Sequence, residues 1–229
     1  AGRRAPGDRM SVTVGWIDGG VCRGEWAKSL ARLVAYETVK GRLASIVRVR
    51  SGPMMEEGRN DLVARFLETP GDWLFMVDTD MVFDYDSVER LLETADVNDA
   101  PMVGGLCFGV NREFGQFPTM YRTIDGMPHV LFNELDGVVP VDATGAGFVL
   151  THRSLFEDHR REGPHPWFHR RQVPATSKHD GGILGEDLSW CWHLRSEGVP
   201  IFVDTSVEAG QIKPSVVNTV SYGMRHAAH

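Results

Sequence analysis

Two aspartates, Asp78 and Asp80, close an apolar run in Trp73-Leu-Phe-Met-Val-Asp-Thr-Asp80 and are the pair in this sequence best suited to chemistry. Carboxylates flanked by residues that want burial are costly when unpaired, so such a pair calls for a cation. Hard divalent ions such as Mg²⁺ or Mn²⁺ take carboxylate oxygens together with substrate phosphates. The implied ligand is a metal-bound diphosphate. A second pair, Asp84 and Asp86, precedes the amphipathic stretch 87–93, where one acid is expected to cap a helix N-terminus.

Other residues could join this chemistry. Glu186 and Asp187 follow Gly185 at the end of a Pro-, His- and Gly-rich loop, 163–185. Capping a helix dipole accounts for one of these acids better than for two. The other suits a general base that takes a proton from an acceptor hydroxyl. Arg59, at the start of a helix, either grips phosphate oxygens in bidentate fashion or is simply solvated. Gly145 and Gly147 precede a strand and either admit a ligand close to the backbone or make a tight turn. Trp167, Phe168 and Trp190 could stack on an acceptor sugar or base, or could serve the core. The histidines are scattered, and one of them could complete a metal site.

The elements that must position these groups follow from periodicity. Strands at 11–17, 43–49 and the run ending at Asp78 alternate with helices at 25–37 and 56–67. That order predicts a parallel sheet with ligands at the carboxyl ends of its strands. The second half predicts a strand at 101–108, a hairpin of 119–122 and 128–132 around Asp125-Gly126, and strands at 138–142 and 147–151. Helices at 153–161 and 186–197 and a strand at 201–203 complete it. The expectation is an α/β chain with one domain over 11–210, divided into a nucleotide-binding half (11–100) and an acceptor-side half (101–210). Residues 1–10 are expected to be a loose segment, and 211–229 a tail.

Composition narrows the function classes. With 229 residues and 42% hydrophobic content, the chain can bury the core of one domain. A net charge of −7 argues against a broad nucleic-acid footprint. Arg153, Arg160, Arg161, Arg170 and Arg171 nevertheless form a local basic cluster that keeps DNA open as a partner. Cys22, Cys107 and Cys191 are too few and too far apart for a disulfide framework. No stretch reaches the length of a membrane span and no leader pattern precedes Met10, so a reducing cytoplasm is the expected home. The glycines after the first strand contain no G-x-G-x-x-G, which removes a Rossmann dehydrogenase.

Taken in order, Arg59-Asn60, the D-T-D of 78–80, Gly104-Gly105, Gly145-Ala-Gly-Phe148, Pro166-Trp-Phe168 and Gly185-Glu-Asp187 resemble the GT-A-fold glycosyltransferases. The likeness is to family 2-like enzymes and small bacteriophage members, and it runs over about 12–210. It implies a GT-A-like α/β fold with a Rossmann-like nucleotide-binding half and a mixed central sheet with helices on both faces. It implies a UDP- or GDP-type sugar donor, Mn²⁺ or Mg²⁺, and an acceptor hydroxyl on a glycan, a protein or a modified nucleobase. Asp78 and Asp80 would face nucleotide and metal, with Asp80 binding the metal directly. Asp187 or Glu186 would be the base of an inverting reaction, Arg59 would lie near the donor nucleotide, and Asp18 would contact base or ribose.

One departure stands out. Where that family often carries a metal-binding histidine, this chain has Gln211, in Glu208-Ala-Gly-Gln-Ile-Lys213. Glutamine is a weaker, neutral oxygen ligand. Looser metal binding, substitution by His226, or relaxed metal dependence would each follow. Two alternatives remain: a nucleotidyltransferase, which releases inorganic pyrophosphate, and a non-catalytic nucleotide- or sugar-binding module.

Overall fold

In the computed structural model, which describes residues 10–111, 115–176 and 181–213, the chain opens on β1 (Val12–Asp18). Val12 and Val14 face one core and Ile17 the other, as the period of two in a strand requires. There follow α1 (Gly24–Lys40), β2 (Leu43–Arg50), α2 (Met55–Leu67) and β3 (Trp73–Val77). Both β2 and β3 run parallel to β1. In β3 all five residues are buried, with Trp73, Phe75 and Val77 in one core and Leu74 and Met76 in the other. A strand covered on both faces has no place for a polar side chain, so the apolar run ends where the sheet meets its ligand edge, at Asp78.

β4 (Met81–Val82) and α3 (Ser87–Thr94) come next. Asp86 sits at the N-cap of α3 but makes no capping bond, and the Ser87 hydroxyl donates to the Asp84 carbonyl instead (2.8 Å). The expected carboxylate cap is therefore not formed. After β5 (Met102–Asn111) come β6 (Gly115–Pro118), β7 (Met120–Ile124) and β8 (Met127–Val130). The hairpin between β7 and β8 turns at Asp125-Gly126 with φ of 53° and 85°, the paired positive angles of a type I′ turn. The chain continues through β9 (Val138–Val141), β10 (Ala143–Thr144), β11 (Phe148–His152) and α4 (Arg153–Asp158). The long loop expected at 163–185 carries a short ladder of β12 (Arg171–Val173) and β13 (Gly182–Leu184). Then come α5 (Glu186–Ser196) and β14 (Ile201–Gln211).

The main sheet has the order β2-β1-β3-β11-β5-β14-β4, with β6 beside β5 and β9 beside β14. β11 runs antiparallel between β3 and β5, so the sheet is mixed. α1 and α3 supply Trp26, Leu33, Val88, Leu91 and Leu92 to the core on one face. α2, α4 and α5 supply residues such as Phe66, Phe156 and Trp190 to the other. Each fully buried side chain of this size contributes about 1.5–3 kcal/mol.

The largest departure from the sequence reading is β14. It was expected to end at 203 and runs to Gln211. Its register against β5 shifts between Asp204 and Glu208, which breaks the alternation that a local pattern needs. Beyond the shift it pairs with β4, Gly210 opposite Val82 and Gln211 opposite Met81. The expectations for 1–9, His226 and the tail from 214 lie outside the described residues.

Candidate functional site

Asp78 leaves β3 at the carboxyl edge of the parallel strands, and its N–H donates to the Gly147 carbonyl at 2.8 Å. β11 begins one residue after Gly147, with Phe148 opposite Val77, so strand pairing sets this glycine against the acid. A Cβ on Gly147 would stand 2.5 Å from Asp78 Oδ2. The glycine therefore makes room for the carboxylate as well as for a turn. Asp78 and Asp80 have side chains 27% and 33% exposed, so the pair lines a cleft edge rather than the interior that the flanking residues suggested.

Arg59, on α2, is buried and ties this edge to α5. Its Nη1 donates to Glu186 Oε1 at 2.9 Å, and its Nη2 lies 3.6 Å from Asp78 Oδ1. Burial works against the guanidinium charge, but Asp78, Asp187 and Glu186 more than offset it and leave its pKa raised. Of the two readings of Arg59, the solvated one is overturned by its burial, and its guanidinium stands between protein carboxylates, joining two acidic motifs. Asp187 stays half-buried beside them, its Oδ1 accepting the Leu188 N–H at 2.7 Å. A Cβ on Gly145 would be 3.9 Å from Asp187 Oδ2, so the two glycines of 145–147 stand against the two acids. The Tyr121 hydroxyl, pushed up to about 12 by burial and then by the Asp187 charge, marks another wall.

Asp80 meets the far end of β14. Gln211 Nε2 donates to Asp80 Oδ2 at 3.0 Å, and Lys213 Nζ lies 3.9 Å from the same oxygen. The Ile212 N–H donates to the Asp80 carbonyl at 2.8 Å and fixes the approach. A cavity of about 380 Å³ lined by Val21, Cys22, Arg23, Thr79 and Asp80 opens alongside, which is the size range of small-molecule sites. Among the described residues no group of three or more His, Cys, Asp or Glu could hold a metal ion. The donor set is one carboxylate and one amide, whose oxygen faces Asp80 only after a half-turn of the amide. Such a set fits Mg²⁺ or Mn²⁺ where substrate phosphates and water complete the coordination.

Asp18, at the end of β1, is fully engaged. Its Oδ1 accepts the Gly20 N–H (2.6 Å) and Arg48 Nη2 (2.9 Å), and its Oδ2 accepts Arg48 Nε (2.7 Å) and Trp16 Nε1 (3.0 Å). Those donors leave it little capacity for a base or ribose and make it the anchor of the 19–20 turn. The Arg48 bonds above all lower its pKa from 3.8 to about 2, against an opposing push from burial. A carboxyl depressed on folding stabilises the fold above its unfolded value and loses that contribution as pH falls through the folded one. Arg48→Met is accordingly expected to shift acid unfolding to higher pH within the window from 3.8 down to about 2. Circular dichroism during acid titration checks this, and a midpoint equal to wild type would show that the pair contributes nothing.

The aromatics expected on the acceptor side are core. Trp167, Phe168 and Trp190 are 3%, 0% and 1% exposed, so none has a ring face free for a sugar. Trp167 Nε1 donates to the Phe156 carbonyl and Trp190 stacks on Phe156. Asn60 on α2 bonds the backbone of Trp167 and Phe168 and holds those two against the core, while Trp190 is buried from α5 against Phe156. Lys213 was missed, because only the pairing of β14 with β4 brings it to Asp80. Its place two residues beyond Gln211 was the one available hint.

A mixed sheet flanked by helices on both faces, with acids at the carboxyl ends of its parallel strands, is a GT-A-like fold. Two solved structures carry the same architecture. A197 from STIV aligns with TM-score 0.51 and 16% identity over 91% of this chain and 97% of that one. GalNAc-T7, crystallised with UDP, GalNAc and Mn²⁺, aligns with TM-score 0.57 and 10% identity over 90% of this chain and 44% of that one. This chain thus spans less than half the length of GalNAc-T7, and at these identities the likeness is one of fold. No protein-family model and no curated protein matches the sequence.

Proposed function

We propose that the protein moves a glycosyl group from a nucleotide-diphosphate sugar of UDP or GDP type to an acceptor hydroxyl. The observation that carries this reading is the convergence of Asp78 and Glu186, each joined to the buried Arg59, at the ligand edge of a GT-A-like sheet. The donor diphosphate lies in the cavity beside Asp80, and the acceptor enters from the side of Asp187. Asp187 accepts the proton of the attacking hydroxyl as its oxygen bonds to the anomeric carbon. The bond from that carbon to the diphosphate breaks with its electron pair on the departing oxygen, and the anomeric configuration inverts. Asp80, with Gln211 once its amide has turned, would hold a divalent cation whose charge offsets that of the leaving diphosphate. Arg59 keeps Asp78 and the start of α5 in register. No helix among the described residues is long and apolar enough to cross a membrane.

The test is a thermal-shift screen of UDP, GDP, dTDP and their sugars with Mn²⁺, Mg²⁺ or EDTA, because a ligand of the folded state raises the midpoint. One nucleoside diphosphate is expected to shift it, and incubation with its sugar is expected to release that diphosphate. Release of inorganic pyrophosphate from a nucleoside triphosphate would select the nucleotidyltransferase instead. Binding without turnover across a broad acceptor panel would select the non-catalytic module.

A further inference from the structure

We infer that Lys213 is a diphosphate-binding residue, so that donor binding survives removal of divalent metal. This rests on the donor reading above and adds to it the group that neutralises the phosphates. A diphosphate beside Asp80 sets anion against anion, and a cation must stand between them. Among the described residues no third His, Cys, Asp or Glu joins Asp78 and Asp80 in a group that could hold a metal ion. At the same place a lysine is delivered by backbone geometry. β14 pairs with β4 through Gln211 opposite Met81, and the Ile212 N–H bonds the Asp80 carbonyl, so residue 213 has little choice of position.

The side chains agree with that placement. Lys213 Nζ is 3.9 Å from Asp80 Oδ2, close enough to offset its charge and too long for a hydrogen bond. Its three N–H donors are therefore not saturated by that carboxylate, and a phosphate oxygen is a better-matched acceptor. Gln211 already donates to the same Asp80 oxygen, which holds the acid without a metal. Arg23 forms part of the lining of the cavity with Thr79 and Asp80. A diphosphate bound against Asp80 would have Arg23 in the lining of that cavity and Lys213 just outside the lining, on the Asp80 carboxylate. The Lys213 side chain is 47% exposed, so replacing it leaves the core untouched.

The experiment measures UDP and GDP affinity by calorimetry for wild type, Lys213→Ala and Lys213→Arg, each in EDTA and in Mn²⁺. Circular dichroism verifies that the variants fold. Wild type is expected to bind one nucleotide in EDTA. Lys213→Ala should lose about tenfold or more of that affinity, as for one charged hydrogen-bond donor, while Lys213→Arg retains most of it. With Mn²⁺ the difference between wild type and Lys213→Ala should narrow. Wild type that binds only with Mn²⁺, or Lys213→Ala that matches wild type in EDTA, overturns the role of Lys213 and leaves the donor reading standing. If neither nucleotide binds under either condition, the donor reading falls and the role of Lys213 with it.

Discussion

Asp187→Asn is expected to leave nucleotide binding unchanged and to slow glycosyl transfer by about 10²–10⁴-fold, the usual contribution of a general base. The two adjacent acids are separated by their surroundings. Glu186 is buried and its Oε1 is held by Arg59 at 2.9 Å, so it faces the protein. Asp187 is half-buried, uses Oδ1 on the N–H of the next residue, and turns Oδ2 toward the gap beside Gly145. A base must reach the hydroxyl it deprotonates, and Asp187 is the more exposed of the two acids and carries no ion pair with Arg59. Single-turnover rates with the donor selected by the binding screen provide the measurement. Full turnover by Asp187→Asn, with loss of turnover in a folded Glu186→Gln variant, would exchange the two roles.

The second large effect falls on stability. Arg59→Met removes the one ion-pair partner that Glu186 has among the described residues, and leaves Asp78 without its nearest cation there. Breaking a buried ion pair by deleting one member costs about 3–5 kcal/mol, because the remaining charge stays desolvated. Urea unfolding of Arg59→Met should show a loss of that order. The double variant Arg59→Met with Glu186→Leu should recover part of it, since the buried Glu186 charge is then no longer stranded and Asp78, 27% exposed, keeps access to water. A loss below about 1 kcal/mol, the range of a surface pair, would mean that the network is solvated and does not hold the site together.

These expectations also show which parts of the site were legible. The strand at 73–77 was, because burial on both faces demands five apolar residues in a row and leaves Asp78 at the break. The hairpin at Asp125-Gly126 was, because few other residue pairs accept two positive φ angles. The pairing of acids with glycines was only half legible. Residues 145–147 read as a close approach for a ligand or as a turn, and their nearness to Asp78 and Asp187 depends on β11 lying antiparallel between two parallel strands. Arg59 reads as either a phosphate ligand or a solvated residue, and it lies buried among carboxylates, which make the same demand on a guanidinium as phosphate does. The three aromatics at 167, 168 and 190 were the poorest guide. A ring that could stack on a sugar and a ring that fills a core have the same sequence signature, and only the packing of 167–168 against α2 and of α5 onto Phe156 tells them apart.

What the sequence by itself determined is the alternation of strands and helices, the position of the sheet edge, and the identity of the acids along it. These follow from local periodicity and from the cost of burying charge, which act over a few residues. Tertiary structure alone decided which acid is tied down and which is free, and what cation faces Asp80. Arg59 and Glu186 are 127 residues apart, and Gln211 and Asp80 are 131 apart. Contacts at such separations are fixed by strand register and helix packing, and no local pattern encodes them.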